Sequence, residues 1–229
     1  HLSPDHESLL VPLLSKKTKM KVQDIDNMEK IVPNNVYVIP YNKEIEVLDG
    51  HIQLIPRPTN KSSNLSIDVL FSSLAETHKE NVIGIVLSGS ASDGTRGLSE
   101  IKEAGGITFA QDDSAKFTSM PHSAIASGLV DFVLSPEEIA EKLNWMSKHG
   151  LISQTQIKTT SKDKIDSKDI DLKNIFQLLL KKKNVDFSFY KTQTIKRRII
   201  RRMLIHKIKT FKQYTEFLKK NENEIDLLY

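Results

Sequence analysis

The stretch VLSGSASDGTRGL, Val86–Leu98, contains the features that decide how this chain folds. An apolar run ends at Leu87 and gives way to a loop of small residues, in which one acid, Asp93, precedes Gly94. Gly89 and Gly94 allow the backbone to turn tightly. Ligands and chemistry lie at the carboxyl ends of strands in an open parallel sheet, so the pattern predicts a functional loop at the end of a buried strand.

The four residues SDGT around Asp93 also have a purely structural interpretation. Helical periodicity begins at Gly94, and a carboxylate at the start of a helix accepts hydrogen bonds from N–H groups that have no partner within that helix. Taken alone, SDGT therefore leaves two roles open for Asp93: a cap of the next helix, or a catalytic acid.

Outward from this loop, short β-branched runs alternate with helical periodicity, which predicts an α/β fold with a doubly wound, mostly parallel sheet. Asp49-Gly50 separates two alternating runs and predicts a β-hairpin with a two-residue turn. A Ser or Asn side chain is expected to cap the helix that starts at residue 66. The predicted strands cover residues 36–40, 82–87, 105–111 and 130–134, and the predicted helices cover residues 66–77, 94–104 and 121–128, with a last helix starting at Ser135.

Charge divides the chain into two modules. The net charge is +4, but residues 1–150 hold 14 Lys and Arg against 20 Asp and Glu, whereas residues 151–229 hold 19 against 9. Ser153–Asp169 reads SQTQIKTTSKDKIDSKD, a polar composition that is typical of a linker. We therefore predict an α/β domain at 1–150, a linker at 151–169 and a small all-α domain at 170–229. The helices of the last domain are predicted at about 171–183, 190–206, 210–220 and from 222 onward.

Composition excludes several classes of protein. The chain has no cysteine, which rules out disulfides, thiolate zinc sites and a cysteine nucleophile. No apolar run approaches the roughly 18 residues needed to cross a bilayer, and the first ten residues lack the features of a signal peptide. These observations predict a cytoplasmic protein without membrane insertion. His1 is followed at once by a turn and a helix, and the helical pattern continues to Tyr229, so both ends are expected to be cuts in a longer protein.

The segment Val82–Leu143 resembles the catalytic domain of the chemotaxis protein-glutamate methylesterase (CheB) family. The apolar strand, the Gly-x-x-x-Asp-Gly turn, the Gly-Gly pair, Ala-Gln-Asp, and Met-Pro followed by Ala-Ile occur in the family's order and at its spacing. The opening HLSPDHESLL is similar to the family's segment that carries the catalytic histidine, and it lies at the right distance upstream.

This resemblance implies a Ser-His-Asp hydrolase, with His1 as the general base and Asp93 as the acid that orients it. No serine of the chain matches the nucleophile, which is expected in a Gly-x-Ser-x-Gly turn upstream of His1 together with a first strand. The resemblance also implies a pocket formed by Ser90, Met120 and Pro121, in which backbone N–H groups at Ser90 bind the oxyanion. Family members commonly have Met where Ser90 stands.

A dense group of cations marks the second module. TIKRRIIRRMLIHKI, Thr194–Ile208, is predicted to form a helix with one apolar stripe and one cationic face. Such a helix is often simply solvated, but guanidinium groups also match carboxylates and phosphates, so an acidic protein surface or a nucleic acid is a possible partner. No aromatic residues are interleaved with these cations, and this disfavours nucleic acid. The cationic face contains Lys196, Arg197, Arg198, Arg201 and Arg202.

The segment Ile175–Tyr229 resembles the helical N-terminal domain of the chemotaxis receptor glutamate methyltransferase (CheR) family. The resemblance is carried by a hydrophobic-Asp-Phe run, Tyr-Lys, and Arg-Arg-x-x-Arg-Arg-Met. It implies that Arg198, Arg201 and Arg202 face the acidic methylation helices of a methyl-accepting chemoreceptor. It also implies an S-adenosylmethionine domain beyond Tyr229, with no cofactor or metal bound by the residues present here.

Together the two resemblances imply a methylesterase–methyltransferase hybrid that acts in a chemotaxis-type phosphorelay. The chain by itself is expected to be inactive in both reactions. A different class of function stays open, in which the chain belongs to a non-catalytic scaffold that binds signalling partners.

Overall fold

We describe the fold from a computed structural model, for residues 8–57, 65–148, 167–183, 192–206, 208 and 210–228. His1 and most of the predicted linker therefore lie outside the described residues. Contacts between Cα atoms divide the chain into two compact units, residues 1–139 and 140–229. The predicted domain limits at 150 and 170 stay predictions.

Residues 8–148 form five helices and eight strands within the part that is described. The helices are α1 (Leu10–Ser15), α2 (Ser66–His78), α3 (Thr95–Glu103), α4 (Ser119–Ala126) and α5 (Pro136–Lys148). The strands are β1 (Lys21–Asp24), β2 (Glu29–Lys30), β3 (Asn35–Val38), β4 (Lys43–Leu48), β5 (His51–Pro56), β6 (Ile83–Val86), β7 (Ile107–Gln111) and β8 (Phe132–Leu134).

The parallel sheet that carries the Asp93 loop has the strand order β6-β7-β8. Residues 83–86 pair in register with residues 107–110, and Phe109 faces Phe132 with ring centroids 5.0 Å apart. The helices cover this sheet through a buried apolar cluster, which confirms the predicted α/β fold. The cluster contains Val86, Leu98, Ala110, Met120 and Ala124.

The predicted hairpin at Asp49-Gly50 is confirmed. β4 and β5 pair antiparallel on either side of it, and both turn residues have positive φ, 48° at Asp49 and 74° at Gly50. That is the conformation required by a two-residue turn whose twist matches the strands. β1 and β3 form a separate parallel pair, of which the sequence predicted only β3.

The start of α5 shows why sequence patterns locate some helix boundaries well. The Ser135 hydroxyl accepts a hydrogen bond from the Glu138 N–H at 3.3 Å, and the Glu138 carboxylate accepts one from the Ser135 N–H at 3.0 Å. This reciprocal capping satisfies N–H groups that would otherwise lack partners. The boundary of α4 is less well predicted, because the helix begins at Ser119, two residues before Pro121.

Helices α2 and α3 approach each other closely at Gly97. A Cβ atom placed on Gly97 would lie 2.4 Å from Cβ of Phe71 and 3.2 Å from Cα of Asp68. Because no side chain fits there, the glycine allows the two helix starts to come into direct contact. This contact brings the beginning of α2 next to the loop that contains Asp93.

The second unit contains the four predicted helices, α6 (Ser167–Lys183), α7 (Thr192–Ile205), α8 (Phe211–Lys220) and α9 (Glu222–Leu228). Thr210 caps α8 by accepting a hydrogen bond from the Gln213 N–H at 3.2 Å. The helices enclose one apolar core, made up of Leu172, Ile175, Leu179, Ile195, Ile199, Met203, Tyr214, Leu218, Ile225 and Leu228. Among the helices described, none is long and apolar enough to span a membrane.

Candidate active site at the carboxyl end of the parallel sheet

Hydrogen bonds tie together the loops that follow β6 and β7. The Ser88 N–H donates to Oε1 of Gln111 at 2.9 Å, and the Gln111 side chain in turn donates to Oγ of Ser114 at 3.1 Å. The Phe117 N–H donates to Oγ of Ser88 at 2.9 Å. The two loops therefore form one surface at the carboxyl ends of the strands, where the sequence predicted the site.

The Met-Pro segment, Met120-Pro121, packs against the loop that follows β6. The Met120 N–H donates to the Gly89 carbonyl at 3.0 Å, and a Cβ atom at Gly89 would lie only 2.8 Å from the Met120 sulfur. Met120 and Pro121 are both buried, whereas Ser90, the next residue after Gly89, is exposed. The structure thus brings the three predicted pocket residues to the same end of the sheet. Ser90 lies on its surface, and Met120 and Pro121 lie beneath it.

Asp93 is one of the most deeply buried polar residues of this unit, with only 2% of its surface exposed. Its Oδ2 atom accepts a hydrogen bond from the Ile67 N–H at 2.9 Å, and its Oδ1 atom accepts one from the Asp68 N–H at 3.0 Å. Both donors lie in the first turn of α2, where N–H groups have no partner within the helix and carry a partial positive charge. Asp93 is therefore a cap of α2, a helix that lies before it in the sequence.

This arrangement bears on two expectations from the sequence. The expected Ser or Asn cap of α2 was wrong, because Leu65 occupies the N-cap position and makes no side-chain cap hydrogen bond. The alternative in which Asp93 caps α3 stays a prediction: Gly94 occupies the N-cap position of α3, and the two hydrogen bonds of Asp93 described above come from α2. A cap that comes from 26 positions away in sequence leaves no local signal.

Asp68, which the sequence analysis did not single out, completes the pattern. Its Oδ1 atom accepts a hydrogen bond from the Gly97 N–H at 2.7 Å, so Asp68 caps α3 while Asp93 caps α2. Burial raises the pKa of Asp68, and the nearby Asp93 carboxylate raises it further, against the hydrogen bond from Gly97. The sequence signal that could have identified Asp68 is the position of an acid beside the apolar stripe of a predicted helix.

The proposed pairing of His1 with Asp93 falls outside the described residues and stays a prediction. Two other histidines of this unit lie near its surface. Nε2 of His122 is 3.0 Å from Oδ1 of Asp113, and Nδ1 of His78 is 2.9 Å from the Thr77 hydroxyl. Over the described ranges, the acids and histidines form no group of three or more suited to a metal ion.

In the second unit, the three matched arginines differ in environment. Arg198 is exposed and Arg201 is partly exposed. Arg202 forms two hydrogen bonds with the buried Glu224, from Nε to Oε1 at 2.7 Å and from Nη2 to Oε2 at 2.6 Å. Two nitrogens of Arg202 are therefore engaged within the unit. The role of all three arginines in partner binding stays a prediction.

Glu224 is the centre of a buried polar network. The Tyr214 hydroxyl donates to Oε1 at 2.9 Å, and Nε2 of His206 lies 2.9 Å from Oε2. Burial by itself would raise the pKa of Glu224, but hydrogen bonds from Arg202, Tyr214 and His206 outweigh it and hold the pKa below its ordinary value. Burial and the Glu224 carboxylate raise the pKa of Tyr214, which keeps its hydroxyl protonated. The network joins α7, α8 and α9.

Comparison with known proteins identifies the class to which this fold and site belong. A family model described as CheB methylesterase matches residues 1–143, and a model described as CheR methyltransferase, all-alpha domain, matches residues 170–229. The solved structure of the Thermotoga maritima CheB methylesterase catalytic domain is similar to this chain, with a TM-score of 0.56 and 28% identity, covering 62% of this chain and 78% of that one. The chain belongs to the CheB methylesterase family, and its last 60 residues match the CheR all-alpha domain.

Three curated relatives show how the match extends. A putative protein-glutamate methylesterase/protein-glutamine glutaminase of Leptospira interrogans is 38% identical, over 61% of this chain and 73% of its own length. The protein-glutamate methylesterase/protein-glutamine glutaminase of Photorhabdus laumondii is 32% identical, over 62% of this chain and 42% of its own length. An uncharacterized 104.1 kDa protein of Rhodobacter capsulatus is 32% identical over 94% of this chain, which spans 24% of that protein.

Proposed function

We propose that the protein carrying this chain hydrolyses glutamyl methyl esters on chemoreceptors, with His1 as general base and Asp93 as the acid that orients it. The observation that supports this proposal is the position of Asp93. It lies in the loop at the carboxyl end of β6, and its buried carboxylate is fixed by two backbone N–H groups of α2. A triad acid needs such a rigid setting, because it has to hold an imidazole in one tautomer and orientation. The location that fits this activity is the cytoplasm.

In the proposed reaction, a serine hydroxyl attacks the ester carbonyl and its proton passes to the imidazole of His1. The imidazolium then protonates the departing methoxide, methanol leaves, and water hydrolyses the acyl-enzyme to restore the glutamate carboxylate. Backbone N–H groups beside Ser90 stabilise the negative oxygen of the tetrahedral intermediates. The serine is the expected one in a Gly-x-Ser-x-Gly turn.

For the second unit, we propose that Arg198 and Arg201 bind the acidic methylation helices of the receptor, next to a methyltransferase activity of the same protein. The cofactor of such an enzyme, S-adenosylmethionine, carries a positive sulfonium group. The groove between α6 and α8, about 580 Å³, is lined by Lys181, Lys182, Lys212 and Lys219, and these cations do not fit that cofactor. No step of the methyl transfer is therefore assigned to residues of this unit.

A scaffold without catalytic activity is a second candidate. The observation that favours it is that both oxygens of Asp93 already accept hydrogen bonds from α2, which is a sufficient structural reason for an acid at this position. The two candidates can be distinguished by methanol, which a hydrolase releases from a methylated receptor and a scaffold does not.

The first experiment measures methanol released from a methylated receptor by the full-length protein. We expect steady release from the native protein and a loss of about a thousandfold or more in the His1→Gln variant, because removing the base leaves only the oxyanion hole and binding. His78→Gln is the matched control and should react like the native protein, since that side chain lies in the last turn of α2, where its Nδ1 atom is 2.9 Å from the Thr77 hydroxyl. Absence of release above the uncatalysed rate, with a folded protein and accessible esters, would favour the scaffold.

The second experiment measures receptor binding by the same full-length protein. The double variant Arg198→Glu/Arg201→Glu should weaken binding by about tenfold or more, because it places like charges opposite each other. The difference between native and variant protein should shrink at high salt. Lys173→Glu/Lys220→Glu, with the same change in net charge at exposed positions of α6 and α8, is the control. Equal affinities for the two double variants would show that net charge alone, and not the α7 arginines, governs binding.

A further inference from the structure

The starts of α2 and α3 are held together by two reciprocal carboxylate caps. Asp93, which precedes α3, accepts hydrogen bonds from two N–H groups of α2. Asp68, in the first turn of α2, accepts the Gly97 N–H of α3 at 2.7 Å. The Asp68 backbone donates to Asp93 while its side chain accepts from α3, so this one residue takes part in both caps.

The packing around these caps leaves little freedom for the helices to shift. A Cβ atom at Gly94 would lie 2.8 Å from Cγ2 of Ile67, and one at Gly97 would lie 2.4 Å from Cβ of Phe71. Gly94 has a φ of 90°, a conformation that side chains rarely adopt. A change in the Asp68 cap would therefore be transmitted directly to the segment that carries Asp93.

We infer that Asp68 is a positioning residue for Asp93: its side chain fixes the orienting acid through α3, and its negative charge adds to that of Asp93 at the proposed histidine. The inference rests on the proposed hydrolase function. Asp68 itself is buried, with 7% of its surface exposed, and we assign it no contact with substrate.

The charges around Asp68 support the second part of this inference. Burial and, less strongly, the neighbouring Asp93 carboxylate raise the pKa of Asp68, while the hydrogen bond from Gly97 and the charge of Arg96 in α3 lower it. On the β4 side, Glu44 accepts a hydrogen bond from the Ser66 hydroxyl at 3.3 Å. The groove beside Asp68 is also lined by the charged residues Glu46, Glu76, Arg96, Glu100 and Glu103. Most of these groups are negative, and the backbone N–H of Asp68 donates to Asp93 at 3.0 Å.

The direction of the expected effect follows from the charge. A negative charge near an imidazole stabilises the imidazolium and raises the pKa of the base. Asp68→Asn removes one charge but keeps an oxygen that can accept the Gly97 N–H. The acidic limb of the pH profile of kcat/KM should therefore move to lower pH, by about 0.5 to 1 unit for the loss of one charge beside Asp93.

The test uses methanol release by the full-length protein across pH, with three variants. Asp68→Asn should shift the acidic limb and lower kcat about three- to tenfold with KM unchanged, because the side chain acts through Asp93 and not on the substrate. Asp68→Ala, which also removes the acceptor, should lower kcat further. Asp131→Asn is the matched control: its side chain is only 4% exposed, accepts the Thr108 N–H at 3.1 Å and lies 3.5 Å from Nζ of Lys102. It lies at the opposite end of β7, so its profile should be native.

The outcomes separate this inference from the proposed function. If native protein releases methanol and the Asp68→Asn profile coincides with the native one, Asp68 is only a helix cap and the inference is wrong, while the hydrolase stands. If Asp68→Asn and Asp131→Asn lower kcat equally without moving the limb, the effect is one of general stability and the inference is also wrong. If native protein releases no methanol, it is the proposed function that fails.

Discussion

The full-length Asp93→Asn variant is expected to lose about 10⁴-fold in the rate of methanol release, as when the acid of a Ser-His-Asp triad is replaced by its amide. The reason is that the amide neither stabilises the imidazolium nor holds the base in the correct tautomer. The variant keeps a carbonyl oxygen, which can still accept one of the two N–H groups of α2 that Asp93 binds. Its fold should therefore be retained.

Two further variants control for the capping role of Asp93. Asp93→Ala removes both hydrogen bonds and should also destabilise the unit by about 0.5 to 2 kcal/mol, the usual cost of losing a helix cap. Ser92→Ala, at the exposed neighbouring position, should behave like the native protein in both rate and thermal unfolding. An Asp93→Asn protein that melts normally and hydrolyses esters at the native rate would reduce Asp93 to a structural residue and favour the scaffold.

Glu224→Ala is expected to destabilise the helical unit by about 3 to 5 kcal/mol, the cost of removing one partner from a buried ion pair. The reason is that Arg202 would keep its charge, and Tyr214 its hydroxyl, without the acceptor that both now share. Amide hydrogen exchange on the whole chain measures this locally, as faster exchange in α7, α8 and α9. Glu216→Ala is the matched control: its carboxylate pairs with Lys219 at an exposed position, so exchange should be unchanged.

The same network predicts how the stability of this unit depends on pH. The pKa of Glu224 in the folded chain is below its ordinary value of 4.5, so the ionised form stabilises the folded state at pH values above 4.5. That contribution is lost as the pH falls from about 4.5 through the folded pKa. Exchange in α9 should accelerate over this interval in the native chain and much less in Glu224→Gln. If exchange in α9 accelerates equally in the native chain and in Glu224→Gln, other carboxylates control the pH dependence.

The boundaries of most elements could be predicted because their causes are local. The Asp49-Gly50 turn, the Ser135–Glu138 capping pair and the Thr210 cap each depend on residues within four positions of one another. Apolar periodicity placed α2, α7 and α8, since a helix with one buried face requires it. The start of α4 was missed by two residues because Pro121 is tolerated in the first turn but does not fix where that turn begins.

The candidate site was predictable only in part. The pattern of small residues around Asp93 located the loop, and the resemblance to the methylesterase family assigned it a chemistry. The pairing of Asp93 with α2, and the role of Asp68, depend on contacts between residues 25 to 29 positions apart. In the helical unit, the resemblance to the methyltransferase family gave Arg198, Arg201 and Arg202 the same predicted role, although Arg202 donates to Glu224 of α9.

By itself the sequence determined the α/β class, the separate basic helical module and the loop at which the chemistry is proposed, because periodicity, charge and turn residues act over short distances. The tertiary structure alone decided what each buried charge contacts. A carboxylate or guanidinium removed from water needs specific partners, and whichever helix end or opposite charge folding brings within about 3 Å becomes that partner. For Asp93 it is the start of α2, and for Arg202 it is Glu224.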